Sequence, residues 1–142
     1  MNKQNLHTDI IALCDYASIS REGKLNINGI FDELRIQKFP GGIARAFFVA
    51  TVNGTTNTQY KLNLKVEEKR GSKAPFNDLK IESITAPNGK NNIVIELLNF
   101  VFEQEGDYKF KIYDGNNEVG STLLKVYHYT GKFVNADEKL PN

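Results

Sequence analysis

The chain reads as short runs of alternating apolar and polar positions cut by turn residues, with no helical period sustained over ten or more residues. The clearest alternation sets Tyr60, Leu62, Leu64 and Val66 against Lys61, Asn63, Lys65 and Glu67. It predicts a half-exposed antiparallel strand, and its outward lysines suit a sheet edge. Tyr108, Phe110 and Ile112 alternate in the same way with Lys109, Lys111 and Tyr113. Asp114-Gly115-Asn116-Asn117 then predicts a tight hairpin, because these residues tolerate positive φ, and residues 119–129 return as the last strand. Residues 9–19, 43–52 and 93–102 are apolar on both alternating sets and read as strands covered on both faces. The third comes nearest to a helix, but its β-branched and aromatic residues favour a strand. Leu25 and Ile27 alternate with Asn26 and Asn28, and the phase shifts after Gly29, which predicts a bulge or bend there.

The spacing of these segments predicts an all-β protein, an antiparallel β-sandwich of immunoglobulin-like or C2-like type, with about seven to nine strands and a Greek-key crossover. One domain spans residues 1–142, with 1–8 and 133–142 as loose tails. The expected core draws on Ile11, Leu13, Ile27, Phe47, Val49, Leu62, Leu64, Ile81, Ile95, Tyr108, Phe110, Ile112, Leu124 and Val126. A chain of 142 residues buries enough surface to fold without a disulfide or a metal.

Charge changes this picture little. The net charge is +1, from 18 basic and 17 acidic residues, so no global field attracts nucleic acid or an anionic membrane. The local cluster Lys65, Lys69, Arg70 and Lys73 is diluted by Glu67 and Glu68 and reads as a solvated loop. Cys14 is the single cysteine and lies in an apolar run, which fits a reducing compartment. No apolar segment precedes Ile10 as a signal sequence would require, so the expected location is the cytoplasm.

Two resemblances add to this reading. Gly106-Asp107-Tyr108 opening a strand, followed by a tight hairpin and a final strand, is similar to the end of an immunoglobulin-like domain. The likeness implies a tyrosine corner in which Tyr108 bonds back to the backbone just upstream. The chain has no Trp and one Cys, so the Cys–Trp–Cys core of antibody domains is missing. Ala12-Leu13-Cys14-Asp15-Tyr16-Ala17, followed by residues 23–32, GKLNINGIFD, resembles the opening of an uncharacterised bacterial family of small β-sandwich proteins. That resemblance runs over nearly the whole chain. It implies bacterial origin and one small domain, and it supplies no site.

Candidate chemistry is sparse. Cys14 as a nucleophile needs a base, and the histidines are His7 and His128. In an extended strand Cys14 and Asp15 point to opposite faces, so the residues favour a buried small hydrophobe at Cys14. Asp15 interrupts an apolar run and reads as a buried carboxylate held by a backbone amide, a tyrosine hydroxyl or Arg45. Two histidines and one cysteine make no closed zinc site, and residues 114–118 lack the ligand spacing of a calcium loop. No glycine-rich loop opens a helix, so no nucleotide site is expected. Tyr113, Tyr127 and Tyr129 on the last two strands form the candidate contact patch. These residues predict no catalytic group, cofactor or metal. They favour a non-enzymatic interaction or structural module whose partner is another protein or a second copy, with no nucleic acid and no membrane. The alternatives are a carbohydrate- or other ligand-binding module and an enzyme using Cys14.

Overall fold

Nine strands are found among residues 5–130, the part of the chain that the computed structural model describes. They are β1 (His7–Ile19), β2 (Leu25–Phe31), β3 (Glu33–Ile36), β4 (Gly41–Asn53), β5 (Gln59–Glu68), β6 (Leu79–Ile84), β7 (Lys90–Phe102), β8 (Gly106–Asp114) and β9 (Asn117–His128). Sheet A has the order β2-β1-β4-β7, and sheet B the order β3-β9-β8-β5-β6. All pairings are antiparallel except β3 with β9, which run parallel. The chain crosses between sheets at β2–β3, β3–β4, β4–β5, β6–β7 and β7–β8, so the architecture is an immunoglobulin-like sandwich.

The alternations in the sequence become the two inner faces. Tyr60, Leu62 and Leu64 of β5, Tyr108, Phe110 and Ile112 of β8, and Leu124 and Val126 of β9 meet Leu13, Ala46, Phe48, Ala50, Ile93 and Leu97 of sheet A. Phe100, Phe102, Phe110 and Tyr108 close one end of this core through edge-to-face and tilted ring contacts 4.7–5.8 Å apart.

Segment 93–102 is a strand, and its double apolarity has a local cause. Ile93 and Leu97 face the core from odd positions, whereas Phe100 and Phe102 do so from even ones. Asn99 lies between them with φ 53°, a left-handed turn of the backbone that Asn tolerates and that reverses the phase of the side chains.

The double apolarity of β1 has a different cause. Pairing of β1 with β4 stops at Cys14 opposite Phe47, while pairing with β2 runs on to Ile19 opposite Leu25. A straight β1 would carry its tip toward the start of β4. Instead the tip lies at the other end: the Asn92 amide donates to the Gly23 carbonyl at 3.4 Å, and Asn92 pairs with Thr51. The β1–β2 hairpin therefore bends back across the outside of sheet A. Beneath it lies a second core of Ala12, Cys14, Ala17, Phe47 and Val49, with Ile27 and Val94 packed against it. The bend falls where Asp15 faces Gly29, whose φ is 70°; a Cβ on Gly29 would collide with the Asp15 carboxylate.

Several expectations are corrected. Phe47, Val49 and Ile27 belong to the second core rather than to the space between the sheets. Ile11, Ile81 and Ile95 are only partly buried. Strand β5 lies inside sheet B between β8 and β6, so it is not an edge. His7 and Thr8 are not tail residues: they pair with Asn53 and Val52, and Leu6 before them is buried. The expected tail segments 1–4 and 133–142 lie outside the described residues.

Candidate functional site

Asp15 is exposed, not buried. It stands at the bend, where a buried residue would have no layer to enter, and the polar side chain meets water there. Cys14 beside it is fully buried in the second core, and its thiol donates to the Tyr16 carbonyl at 3.5 Å. Burial pushes the thiol up from its ordinary pKa, against the thiolate. His128 ends β9 in the other sheet, with its ring 3.2 Å from the Gln37 carbonyl and packed beside Phe39. His7 lies near Asp9 at the start of β1. The fold thus brings neither histidine to Cys14. Among the described residues no three His, Cys, Asp or Glu side chains gather as a metal site would require.

The tyrosine patch does not form as one surface. Tyr113 lies opposite Glu118, nine positions before Tyr127 on β9; at about 3.3 Å per residue that is roughly 30 Å. Tyr113 bonds Glu67 at 3.4 Å and lies under Lys65, within the charged outer face of sheet B. Tyr127 pairs with Arg35 at the other end, and Tyr129 donates its amide to the Ile36 carbonyl. Alternation along two strands cannot reveal that a hairpin sets their two ends far apart.

Tyr108 is buried on β8, and its hydroxyl donates to the Gln104 carbonyl, four residues upstream, at 2.7 Å. Desolvation raises its pKa. Beside it Glu68 ends β5 with a side chain only 2% exposed. The amides of Arg70 and Ser72 each donate to it at 3.1 Å, and Arg70 Nε does so at 3.3 Å. Hydrogen bonding from Ser72, with that from Arg70, outweighs burial and holds the Glu68 carboxyl down to about 2. Arg70 also reaches the Glu105 carbonyl, and Gln104 bonds Ser72. These groups lock the β5–β6 connection onto the β7–β8 turn. The buried Glu68 carboxylate is met by three donors from Arg70 and Ser72, so the cluster is a clamp. No sequence signal marks it beyond a glutamate at a strand end.

The two outer faces differ sharply. On sheet B, Lys111 binds Glu67 at 2.8 Å and Glu118 at 3.4 Å, raising the Lys111 pKa and lowering that of Glu67. Lys65, Lys109 and Lys125 lie on the same charged face. Sheet A carries most of the exposed large apolar side chains, Ile10, Tyr16, Ile19, Ile30, Leu98 and Val101, with Ile30 and Leu98 each 66% exposed, among polar residues such as Asp15, Arg45 and Glu96; sheet B exposes Ile84 and Tyr127. Tyr16 meets Phe47 edge to face at 5.2 Å; Arg45 lies 5.6 Å from the same ring and binds Glu96 at 3.2 Å. Leu98 is opposite Arg45, so Arg45 and Leu98 lie at the margin of the hairpin, next to the buried Phe47 and the exposed Tyr16 packed on it. Sequence reasoning missed Leu98 and Ile30; a leucine next to the phase-reversing Asn99 is the one available signal.

These features define the class: a small immunoglobulin-like β-sandwich whose exposed large apolar side chains lie mostly on sheet A. The chain belongs to a family of unknown function, DUF6941, whose model matches residues 9–127. No curated protein matches it. Among solved structures, a beta-glucosidase from Listeria innocua in complex with glucose is similar over 90% of this chain, with 9% identity and a TM-score of 0.50. The chain spans 16% of that enzyme's length, so the similarity concerns one part of a much larger protein. An immunoglobulin-like protein from Pseudomonas aeruginosa is similar over 86% of this chain and 96% of its own, with 11% identity and a TM-score of 0.44. At such identities the likeness is one of fold alone.

Proposed function

We propose that this protein is a non-enzymatic interaction module acting in the cytoplasm of a bacterium, and that it engages a protein partner through the uncovered part of sheet A. The observation carrying this reading is the contrast between the faces. Leu98 stands two-thirds exposed beside Arg45 and the Tyr16–Phe47 contact, and Ile30 is equally exposed on β2 opposite Cys14, whereas Lys111 on the outer face of sheet B is set between Glu67 and Glu118. A cluster of large apolar side chains kept in water costs solubility, and such patches mark association surfaces. Arg45 and Tyr16 within the patch are residue types enriched at interface hot spots. The buried thiol of Cys14 supports a reducing compartment and a structural role.

The test is retention of a saturable partner, self-association included, by the immobilised protein. Leu98→Asp and Ile30→Asp should each abolish retention, and Lys125→Asp on sheet B should leave it intact. Equal retention by all three variants, or no saturable partner at all, contradicts the reading.

A further inference from the structure

We propose that Asn28 is a self-modification site: its side-chain amide is lost by cyclisation onto the Gly29 nitrogen, and the product releases the β1–β2 hairpin from the second core. Water is the one co-reactant.

The sequence holds three Asn-Gly steps: Asn28-Gly29, Asn53-Gly54 and Asn88-Gly89. In each the glycine has no Cβ, which leaves its nitrogen room to reach the asparagine side chain. The nitrogen attacks Cγ, and the new C–N bond closes a five-membered succinimide. The proton of the attacking nitrogen passes through water to the departing amide, which leaves as ammonia when the Cγ–Nδ2 bond breaks. Water then opens the ring at either carbonyl, giving an aspartyl or an isoaspartyl residue.

The fold restrains two of the three steps. The Gly54 amide donates to the Gly89 carbonyl at 2.8 Å, and the Gly89 amide donates to the Ala86 carbonyl at 2.8 Å. Asn53 is also paired on both sides, with His7 of β1 and with Lys90 of β7. The Asn88 side chain is held by the Lys90 amide, which donates to its Oδ1 at 3.0 Å, and Gly89 is buried against Gly54.

Asn28 is placed differently. It lies on β2, an outer strand of sheet A, and both it and Gly29 are exposed. The Ser20 amide donates to the Lys24 carbonyl at 2.8 Å. From that pair, antiparallel alternation gives Asn28 its backbone bonds to Tyr16 and turns the Gly29 amide to the free edge. The φ of 70° at Gly29 bends the chain out of the ladder at this point. Ring closure at Asn28 therefore disturbs the pairing of one outer strand, an opening that needs no global unfolding.

The product acts on the bend. An isoaspartyl link adds one carbon to the main chain immediately before Gly29. Either product sets a new carboxylate one residue from the place where the Asp15 carboxylate packs against Gly29. The net charge falls from +1 to 0, since 17 acidic residues become 18 against 18 basic ones. The hairpin then loosens over Cys14.

The experiment holds the full chain at mildly alkaline pH and physiological temperature and maps the three steps in proteolytic peptides by mass spectrometry. In the folded protein Asn28 should convert about fivefold faster than Asn53 or Asn88, the rate equivalent of roughly one hydrogen bond. In denaturant the three should convert at comparable rates, because the same dipeptide then reacts without its fold. Asn28→Gln should suppress the folded-state conversion, as the six-membered ring closes slowly. Aged wild type, unlike aged Asn28→Gln, should expose Cys14 to alkylation sooner than fresh protein does. Asn53 or Asn88 converting first in the folded chain, or the same ranking with and without denaturant, overturns the assignment of Asn28. Conversion at Asn28 that leaves Cys14 as protected as before overturns the release of the hairpin.

Discussion

The outer face of sheet A and the outer face of sheet B solve the same problem in opposite ways. Both belong to sheets whose inner faces are closed by a common core. Sheet B meets water with charge of both signs: Lys109 lies opposite Glu67, Lys125 opposite Asp107, and Lys111 binds Glu67 and Glu118. Sheet A carries Phe47, Val49 and Val94 outward, and covers them by folding its own first hairpin back over them. The covering is partial, and Tyr16, Leu98 and Val101 stay exposed near the Arg45–Glu96 pair. The difference shows that one sheet of a sandwich can be finished as a surface while the other is left as a platform.

The largest test of this contrast is Phe47→Ala. It empties the middle of the second core and should destabilise the fold by roughly 3–5 kcal/mol in urea unfolding, the usual cost for a large aromatic. A loss below about 1 kcal/mol would mean that the hairpin does not pack as described. The next effect belongs to the clamp on the sheet B side and appears as a pH dependence. The Glu68 carboxyl is held at about 2 against an ordinary 4.5, so its contribution is complete above the ordinary value and is lost as pH falls from about 4.5 toward 2. Glu68→Gln should lower stability at neutral pH and flatten that acid limb, which unfolding midpoints across the range would reveal.

Gly29→Ala comes third. The positive φ and the crowding by Asp15 should cost about 1–2 kcal/mol and loosen the hairpin without touching the main core. Faster exchange confined to the amides of β1 beyond Cys14 and of β2 would confirm this. Lys111→Met should do least, since its ion pairs on the outer face of sheet B are partly exposed. Its small effect should vanish in 1 M salt, at a screening length of about 3 Å.

The same comparison explains what the sequence made legible. Sheet B follows strict alternation, so β5 and β8 are read correctly residue by residue. Sheet A does not. Segment 93–102 looks apolar on both sides because Asn99 reverses the phase, and β1 looks so because Ile11 and Leu13 face one core while Ala12, Cys14 and Ala17 face the other. Asp15 resembles a buried acid for this reason: it sits in an apolar run, at the one position where the run changes layer. Tyr108 is predictable because a tyrosine corner is local, spanning four residues. The Glu68 clamp joins segments more than thirty residues apart and leaves no local pattern.

Alkylation of Cys14 tests the folded-back hairpin most directly. The thiol is buried beneath it, and among the described residues no histidine or cation lies beside it to favour the thiolate. At neutral pH the folded protein should resist the reagent until denaturant unfolds it, and Gly29→Ala should shorten that protection. Labelling of the native protein as fast as a free thiol would contradict the second core and reopen Cys14 as a reactive group.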